Sequence, residues 1–572
     1  MSTESTNGST TGTGMKKHDV LIVGAGGAGL RAAVAAHEAG ADVAMVSKLH
    51  PVRSHTGAAE GGINAALKEE DDWKDHAYDT VKGSDYVGDQ DAIETMTEEA
   101  PNEVIRLENM GMAFSRNEDG RVAQRAFGGL SFPRTTYASD KTGHMLLHTM
   151  YEQVMKRGVT VYDEYFVTNV VRDGGKCHGV VAVDIQTGNV EGFVGGATVL
   201  ATGGAGQAFE HTTNAVACTG DGMSMAYRAG VPMEDMEYVQ FHPTTLPSTG
   251  ILITEGCRGE GGELYNNKGE RFMYEYGYAA NDGELASRDV VSRAELTEVQ
   301  EGRGFEDETV HLDLTHFGEE KIEERLSQIL ELARDFEDVD PVTEPIPVKP
   351  GQHYMMGGIG CDPSGATELP GLYAVGETAC VSVHGANRLG GNALLELVVF
   401  GKIAGEHSAK NHLTNVSTSA VEDAVEDERA RIDELMSGGK EHQSVIRQDV
   451  QEIMTEEVNV FRSEEGLERA LEVIQEAKRR CDDVDVKDTS KTFNTDLIQA
   501  LELRSIIDCA EAITVGALER TESRGAHWRY EHQERDDENW LKHTYVYNTD
   551  DGPQVEYEDV EIKEYKPKAR SY

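Results

Sequence analysis

The chain is short of the features that would mark a secreted, membrane-spanning or metal-clustered protein. Its seven cysteines (Cys177, Cys218, Cys257, Cys361, Cys380, Cys481 and Cys509) are scattered, odd in number and never arranged as C-x-x-C. That pattern excludes a disulfide framework and any iron–sulfur or zinc site built from this chain, and it points to reduced thiols in an intracellular protein. Basic residues are scarce, with 53 Lys+Arg against 102 Asp+Glu and a net charge of -49. A polyanion would be repelled by such a surface, so nucleic acid is excluded as a ligand. No run approaches the ~18 apolar residues that a membrane-spanning helix needs, so membrane association would have to come through a partner. The first 14 residues are rich in Ser, Thr and Gly and lack an apolar core and arginines. They read as a disordered tail, 1–14, rather than a signal or transit peptide. The acids are spread along the whole length, which suits a salt-rich, halophilic cytoplasm where repulsion is screened, or else an acidic face for a basic partner.

At 572 residues the chain exceeds one compact core, so several domains are expected. The first carries "HDVLIVGAGGAGLRAAVAAHEAGADVAMVS": a buried strand over Val20–Val23, the turn Gly24-Ala25-Gly26-Gly27-Ala28-Gly29, an Ala-rich helix, and a second strand ending near Ser47. This is a βαβ unit with glycines where the turn tightens, where backbone nears a pyrophosphate and where helix packs on strand. The acidic residue usual after the second strand is replaced by Ser47 and Lys48, which argues against an ordinary NAD site. Two more glycine clusters follow apolar strands, "ATVLATGGAGQ" at 197–207 and "GLYAVGE" at 371–377, the latter ending in Glu377. Three such turns far apart in sequence suggest one dinucleotide site assembled from distant segments.

Between and beyond them lie His242, Thr254, Glu255, Arg258 and Arg288, then His353 in "QHYMMGG" and Arg388 in "HGANRLGGNALLELVVFG". Each alone has a bland reading, since an arginine is usually a solvated charge and a histidine a satisfied hydrogen bonder. Together, beside glycine turns, they form a set that binds or moves protons next to carboxylates. The planar fork of arginine matches a carboxylate bidentately, so paired clamps suit a small dicarboxylate. Farther on, apolar residues at helical spacing (Ile446, Val450, Met454; Leu467, Leu471, Ile474) predict a packed helical bundle. An acidic tail is expected to end the chain.

The runs "RSHTGAAEGG", "FHPT", "TEGCRGEGG", "HYMMGG", "HGANRLGGN" and the closing "ESRGAHWRYEHQERDDENWLKHT" resemble the flavoprotein subunits of succinate dehydrogenase and quinol:fumarate reductase, from about Lys17 to about Thr544. The resemblance implies an α/β fold: a tail (1–14), a two-dinucleotide-fold FAD-binding domain (15–249 and 351–415) interrupted by an α+β capping domain (250–350), a helical domain (416–530) and a C-terminal segment (531–572). It implies FAD bonded covalently to His55. Further FAD contacts would come from Gly24 to Gly29, Ser47, Lys48, Ser54, Thr56, Gly61, Gly62, Asp221, Glu377, Asn392, Leu394 and Leu395. His242, Thr254, His353 and Arg388 would hold the carboxylates of succinate or fumarate. Arg288 would move a proton, relayed by Glu255 and Arg258, while a hydride passes to the flavin. An arginine ordinarily titrates above about 12, so that role demands an unusual site.

The same resemblance implies partners: an iron–sulfur subunit and a membrane anchor passing electrons to quinone at the cytoplasmic face of the cell membrane, as in respiratory complex II and the tricarboxylic acid cycle. "HYMMGG" and "RLGGN" lean towards succinate oxidation, with fumarate reduction as the alternative. A soluble oxidase resembling L-aspartate oxidase, which lacks the attachment histidine, is the rival class. Glu60 replaces the glutamine common in "A-A-Q-G-G", which puts a negative charge near the flavin in question. Cys257 matches a thiol that would confer sensitivity to thiol reagents, or is a small packed side chain.

Overall fold

A computed structural model describes residues 15–570; the expected tail 1–14 lies outside them. The first strand, Lys16–Val23, is buried over its last four residues and pairs in parallel with Val43–Ser47 on one side and Val190–Leu200 on the other. Burial on both faces explains its unbroken apolar run. The parallel core continues to Thr160–Asp163 beyond Val43–Ser47 and to Leu372–Ala374 beyond Val190–Leu200. An antiparallel meander of Val190–Leu200, Lys176–Asp184 and Tyr165–Asp173 completes seven strands. The three glycine turns follow Lys16–Val23, Val190–Leu200 and Leu372–Ala374, which are neighbours in this sheet. Parallel pairing therefore brings segments 24–29, 201–207 and 375–377 to one edge.

A second apolar core, separate from the one under the large sheet, includes Leu264, Phe272, Val291, Leu312, Ile329 and Val348. It packs beneath a four-stranded antiparallel sheet ordered Val239–Thr245, Ile346–Met355, Val310–Asp313, Glu263–Tyr265. Its longest strand, Ile346–Met355, runs across the sequence position 350/351 and pairs with Val239–Thr245, which ends before 249/250, so the segment expected to cap the site is tied to its neighbours by β-ladder.

In the C-terminal half, helices Gln443–Glu457 and Glu464–Arg480 bury Ile446, Val450, Met454, Leu467 and Ile474 as expected. Leu471 is only half-buried, because Ala470 and Ala477 complete that face instead. Helix Thr495–Glu519 is buried nearly all round, consistent with a helix enclosed on every side. The expected acidic tail is instead a β-hairpin, Lys542–Tyr547 with Gln554–Asp559, that extends a sheet through Met233–Glu234. Arg520 fixes this junction, donating to Glu237 Oε1 (2.6 Å), Lys542 O (2.6 Å) and Thr544 Oγ1 (3.0 Å). All seven cysteines are unpaired. Among the described residues no helix is long and apolar enough to cross a membrane.

Candidate active site

A cavity of ≈ 370 Å³ runs from the sheet edge towards the second core. At one end it is walled by backbone. Gly24 has φ +103°, and a Cβ there would lie 2.3 Å from Ala201 O. A Cβ on Gly29 would strike Gly24 O at 2.2 Å, so Gly29 serves helix-to-turn packing and does not line the cavity. Helix Gly27–Glu38 begins here with no side-chain cap and no acid in its first turn. Helix Asn392–Asn411 begins on the same cavity in the same way. Two positive dipole ends facing a glycine-lined slot are suited to a diphosphate.

Lys48 spans this end: its ammonium donates to Ala217 O (3.0 Å), Thr219 Oγ1 (3.0 Å), Asp221 Oδ2 (2.7 Å) and Glu502 Oε1 (2.8 Å). It thereby fastens the cavity wall to the long C-terminal helix. Thr56 Oγ1 accepts from Gly27 N (3.0 Å), and Ser54, Gly61, Gly62 and Leu394 also line the cavity. Glu377 accepts from Met355 N (3.1 Å), and burial raises its carboxyl to a pKa of about 7. Asn392 and Leu395 lie behind the wall. Asn392 bridges Asn64, His76 and Thr80, while Leu395 belongs to the apolar core.

His55 opens a short turn of 3₁₀ helix, His55–Ala58, and lines the middle of the cavity. Its Nδ1 accepts from Ala215 N (3.3 Å), and burial lowers its pKa to about 4, so the ring is neutral.

At the other end side chains do the work. Arg288, the first residue of helix Arg288–Gln300, donates from Nε to Glu255 Oε2 (2.8 Å) and from Nη1 to Gln240 Oε1 (2.8 Å). Arg388 donates from Nη2 to the same Gln240 oxygen (2.9 Å) and stands 4.3 Å from the Tyr354 ring centroid. Burial and the facing Arg288 lower the Arg388 pKa to about 9. Burial pushes the Glu255 carboxyl up, but Arg288 and Arg258 outweigh it and hold the group below the ordinary carboxylate range. Its other oxygen accepts from Gly128 N (2.8 Å). Arg258 sits behind Glu255 rather than on the cavity, donating to Glu284 O (2.5 Å).

His242 and His353 face one another with ring centroids 5.0 Å apart. Burial, then neighbouring guanidiniums, hold both far below the ordinary histidine pKa, so both are neutral. His353 Nδ1 pairs with Thr213 Oγ1 (2.8 Å), whereas His242 Nε2 is buried without a protein partner. An unpartnered buried ring nitrogen beside two guanidiniums and Thr254 is a place for a ligand oxygen.

Sequence reasoning did not single out Gln240, Tyr354 or Asn387. Gln240 carried one signal, its position two residues before His242 on one strand. Burial, then Asp140, push the Glu60 carboxyl well above the ordinary range against the lesser pull of Arg125, which favours the protonated form beside Gln328 Nε2 (3.3 Å). Cys257 is fully buried, and burial pushes its thiol up, which favours the packed side chain over a reactive thiolate.

Residues 19–394 match the FAD binding domain family and residues 447–572 the C-terminal domain of fumarate reductase flavoproteins. The chain is 45% identical over 574 residues to the fumarate reductase flavoprotein subunit of Haemophilus influenzae, covering 97% of this chain and 96% of that one. It is 46% identical over 575 residues to the succinate dehydrogenase flavoprotein subunit of Rickettsia bellii, covering 96% and 95%. Its structure superposes on that of an E. coli quinol fumarate reductase flavoprotein variant with a TM-score of 0.94 at 42% identity, covering 97% and 99% of the two chains. With a glycine slot fitted to FAD at one end and the paired Arg288 and Arg388 at the other, the chain belongs to the family of succinate dehydrogenase and fumarate reductase flavoprotein subunits.

Proposed function

We propose that this protein interconverts succinate and fumarate as the flavoprotein subunit of a membrane-associated succinate:quinone oxidoreductase. The observation that carries the reading is the shared Gln240 oxygen between Arg288 and Arg388, opposite two neutral histidines. That arrangement presents two fixed guanidiniums and two neutral ring donors to a small dianion. Bound FAD supplies the two-electron acceptor. His242, Thr254, His353 and Arg388 hold the carboxylates, and Arg288 takes or gives the proton at the carbon next to one of them. Glu255, ionised against Arg288 and Arg258, receives that proton in turn. We assign His55 as the covalent attachment point: its ring is neutral, and Ala215 occupies Nδ1, which leaves Nε2 for the bond.

Because relatives of both names are equally similar, the proposal is the couple rather than one physiological direction. Electrons would leave through an iron–sulfur subunit and a membrane anchor to quinone at the cytoplasmic face of the membrane. The test is a dye-linked assay of the purified protein with succinate and with aspartate, and with fumarate plus a reduced dye. Turnover of succinate and fumarate, with none of aspartate, is expected; aspartate oxidation would overturn the assignment. A yellow band surviving denaturing electrophoresis is expected, and its loss in His55→Ser would locate the bond.

The acidic surface belongs to the same proposal as an adaptation to a salt-rich cytoplasm. Raising KCl from low concentration to about 1 M, where the Debye length is about 3 Å, should raise the melting temperature by screening repulsion. A flat or falling midpoint would favour a basic partner instead.

A further inference from the structure

Behind the guanidiniums a hydrogen-bonded chain leads to the C-terminal segment. The Gln240 carbonyl faces Arg288 and Arg388 because its Nε2 is committed elsewhere, to Asn387 Oδ1 (2.9 Å) and Arg388 O (2.8 Å). A flipped amide would press an NH₂ group against two cations. Asn387 is oriented in turn by donating from Nδ2 to Asp289 Oδ1 (3.1 Å). Asp289 is buried beside Arg288, and the Ser287 hydroxyl also donates to its Oδ1. Its second oxygen accepts from Arg293 Nη2 (2.8 Å) and Arg570 Nη2 (2.7 Å). Arg570 reaches Asp85 as well (3.2 Å), where Arg535 Nη1 (2.7 Å) and Gly525 N (3.0 Å) converge. The Arg570 guanidinium is thus held between two carboxylates, its Nη2 shared by Asp289 and Asp85. A buried carboxylate stays ionised only if cations face it. Burial pushes Asp289 up, but Arg570 and then Arg293 hold it far below the ordinary carboxylate range.

We infer that Arg570 is a positioning residue for the dicarboxylate site. It aims Asp289 at Asn387, which fixes the Gln240 amide and through it the guanidiniums of Arg288 and Arg388. The inference rests on the function proposed above, because its main readout is turnover of succinate. Displacing a reacting group by a fraction of an ångström costs rate more than affinity, so in Arg570→Ala kcat should fall about tenfold per bound flavin. KM should rise less than about threefold, since His242, Thr254 and His353 are untouched. Flavin content should stay at the wild-type level. Arg570→Lys, which keeps a cation for Asp289, should recover most of the rate. Wild-type kcat in Arg570→Ala, equal losses in both variants, or a loss explained by missing flavin would each overturn the inference. A wild-type protein inactive on succinate and fumarate would defeat the functional reading instead. The network is then read from thermal unfolding in a double-mutant cycle of Arg570→Ala and Asn387→Ala. Non-additive midpoint shifts support it and additive ones overturn it.

Discussion

The two ends of the cavity are built from opposite materials. At the flavin end the working surface is backbone: glycines without Cβ atoms, two uncapped helix starts, and the edge of a parallel sheet. At the proposed dicarboxylate end it is side chain: two guanidiniums, two imidazoles, a carboxylate and an amide, drawn from five separate stretches of sequence. Backbone surfaces tolerate little change in shape, because nothing in them can rotate away. Side-chain surfaces tolerate changes of shape better than changes of charge, since the two buried guanidiniums share a single amide oxygen. The two ends should therefore fail separately.

The largest effect expected from breaking the side-chain end alone is that of Arg288→Gln. The substitution removes the proposed proton-moving group and the partner of Glu255 while leaving the glycine slot intact. General acid–base steps are worth about 10² to 10⁴ in rate, so turnover should fall at least a hundredfold with flavin still bound. Flavin content by absorbance and dye-linked turnover measure the two ends independently. A loss below tenfold would remove Arg288 from the proposed role, and a loss of flavin would show that the ends are not separable.

The converse is Gly24→Ala. At φ +103° with Ala201 O 2.3 Å from the new Cβ, alanine must displace the strand-to-helix turn. The strain is at least about 2 kcal/mol. Bound flavin and melting temperature should both drop, while residual flavin-loaded molecules turn over succinate at close to the wild-type rate. A fully loaded variant with a slow rate would contradict the division between backbone and side chain.

That division also explains what the sequence made legible. The glycine end is local: strand, turn and helix are contiguous over Lys16–Ser47, and period and glycine spacing display them directly. His242, Thr254, Glu255, Arg288, His353 and Arg388 stood out as chemistry-bearing residues near glycines, and all six line the cavity. What sequence did not display is the second layer. Gln240, Asn387 and Asp289 are ordinary polar residues whose importance lies in partners as many as 281 positions away. Nor could composition reveal that the acidic C-terminal stretch pairs as a hairpin, since its ladder partner Met233–Glu234 lies some three hundred residues earlier. Long-range pairing is decided by packing, which a local pattern does not encode.

The smallest effect expected comes from Glu60, another buried glutamate of the cavity, which sharpens the comparison by separating two carboxyls shifted in opposite directions. Glu255 is held ionised by Arg288 and Arg258, whereas Glu60 is held protonated, chiefly by burial and then by Asp140. A folded-state pKa raised above the ordinary 4.5 means that the native chain keeps a proton which the unfolded chain releases. The stability from Glu60 is thus fully present below the unfolded value and is lost as pH rises towards and through the raised native one. Glutamine has nearly the same shape as the protonated acid and does not titrate. In Glu60→Gln the melting temperature should match the wild type at about pH 5 and exceed it by a few degrees at about pH 8, the gap widening steadily between them. A gap independent of pH would mean that Glu60 is ionised in the native protein and carries its charge into the cavity after all.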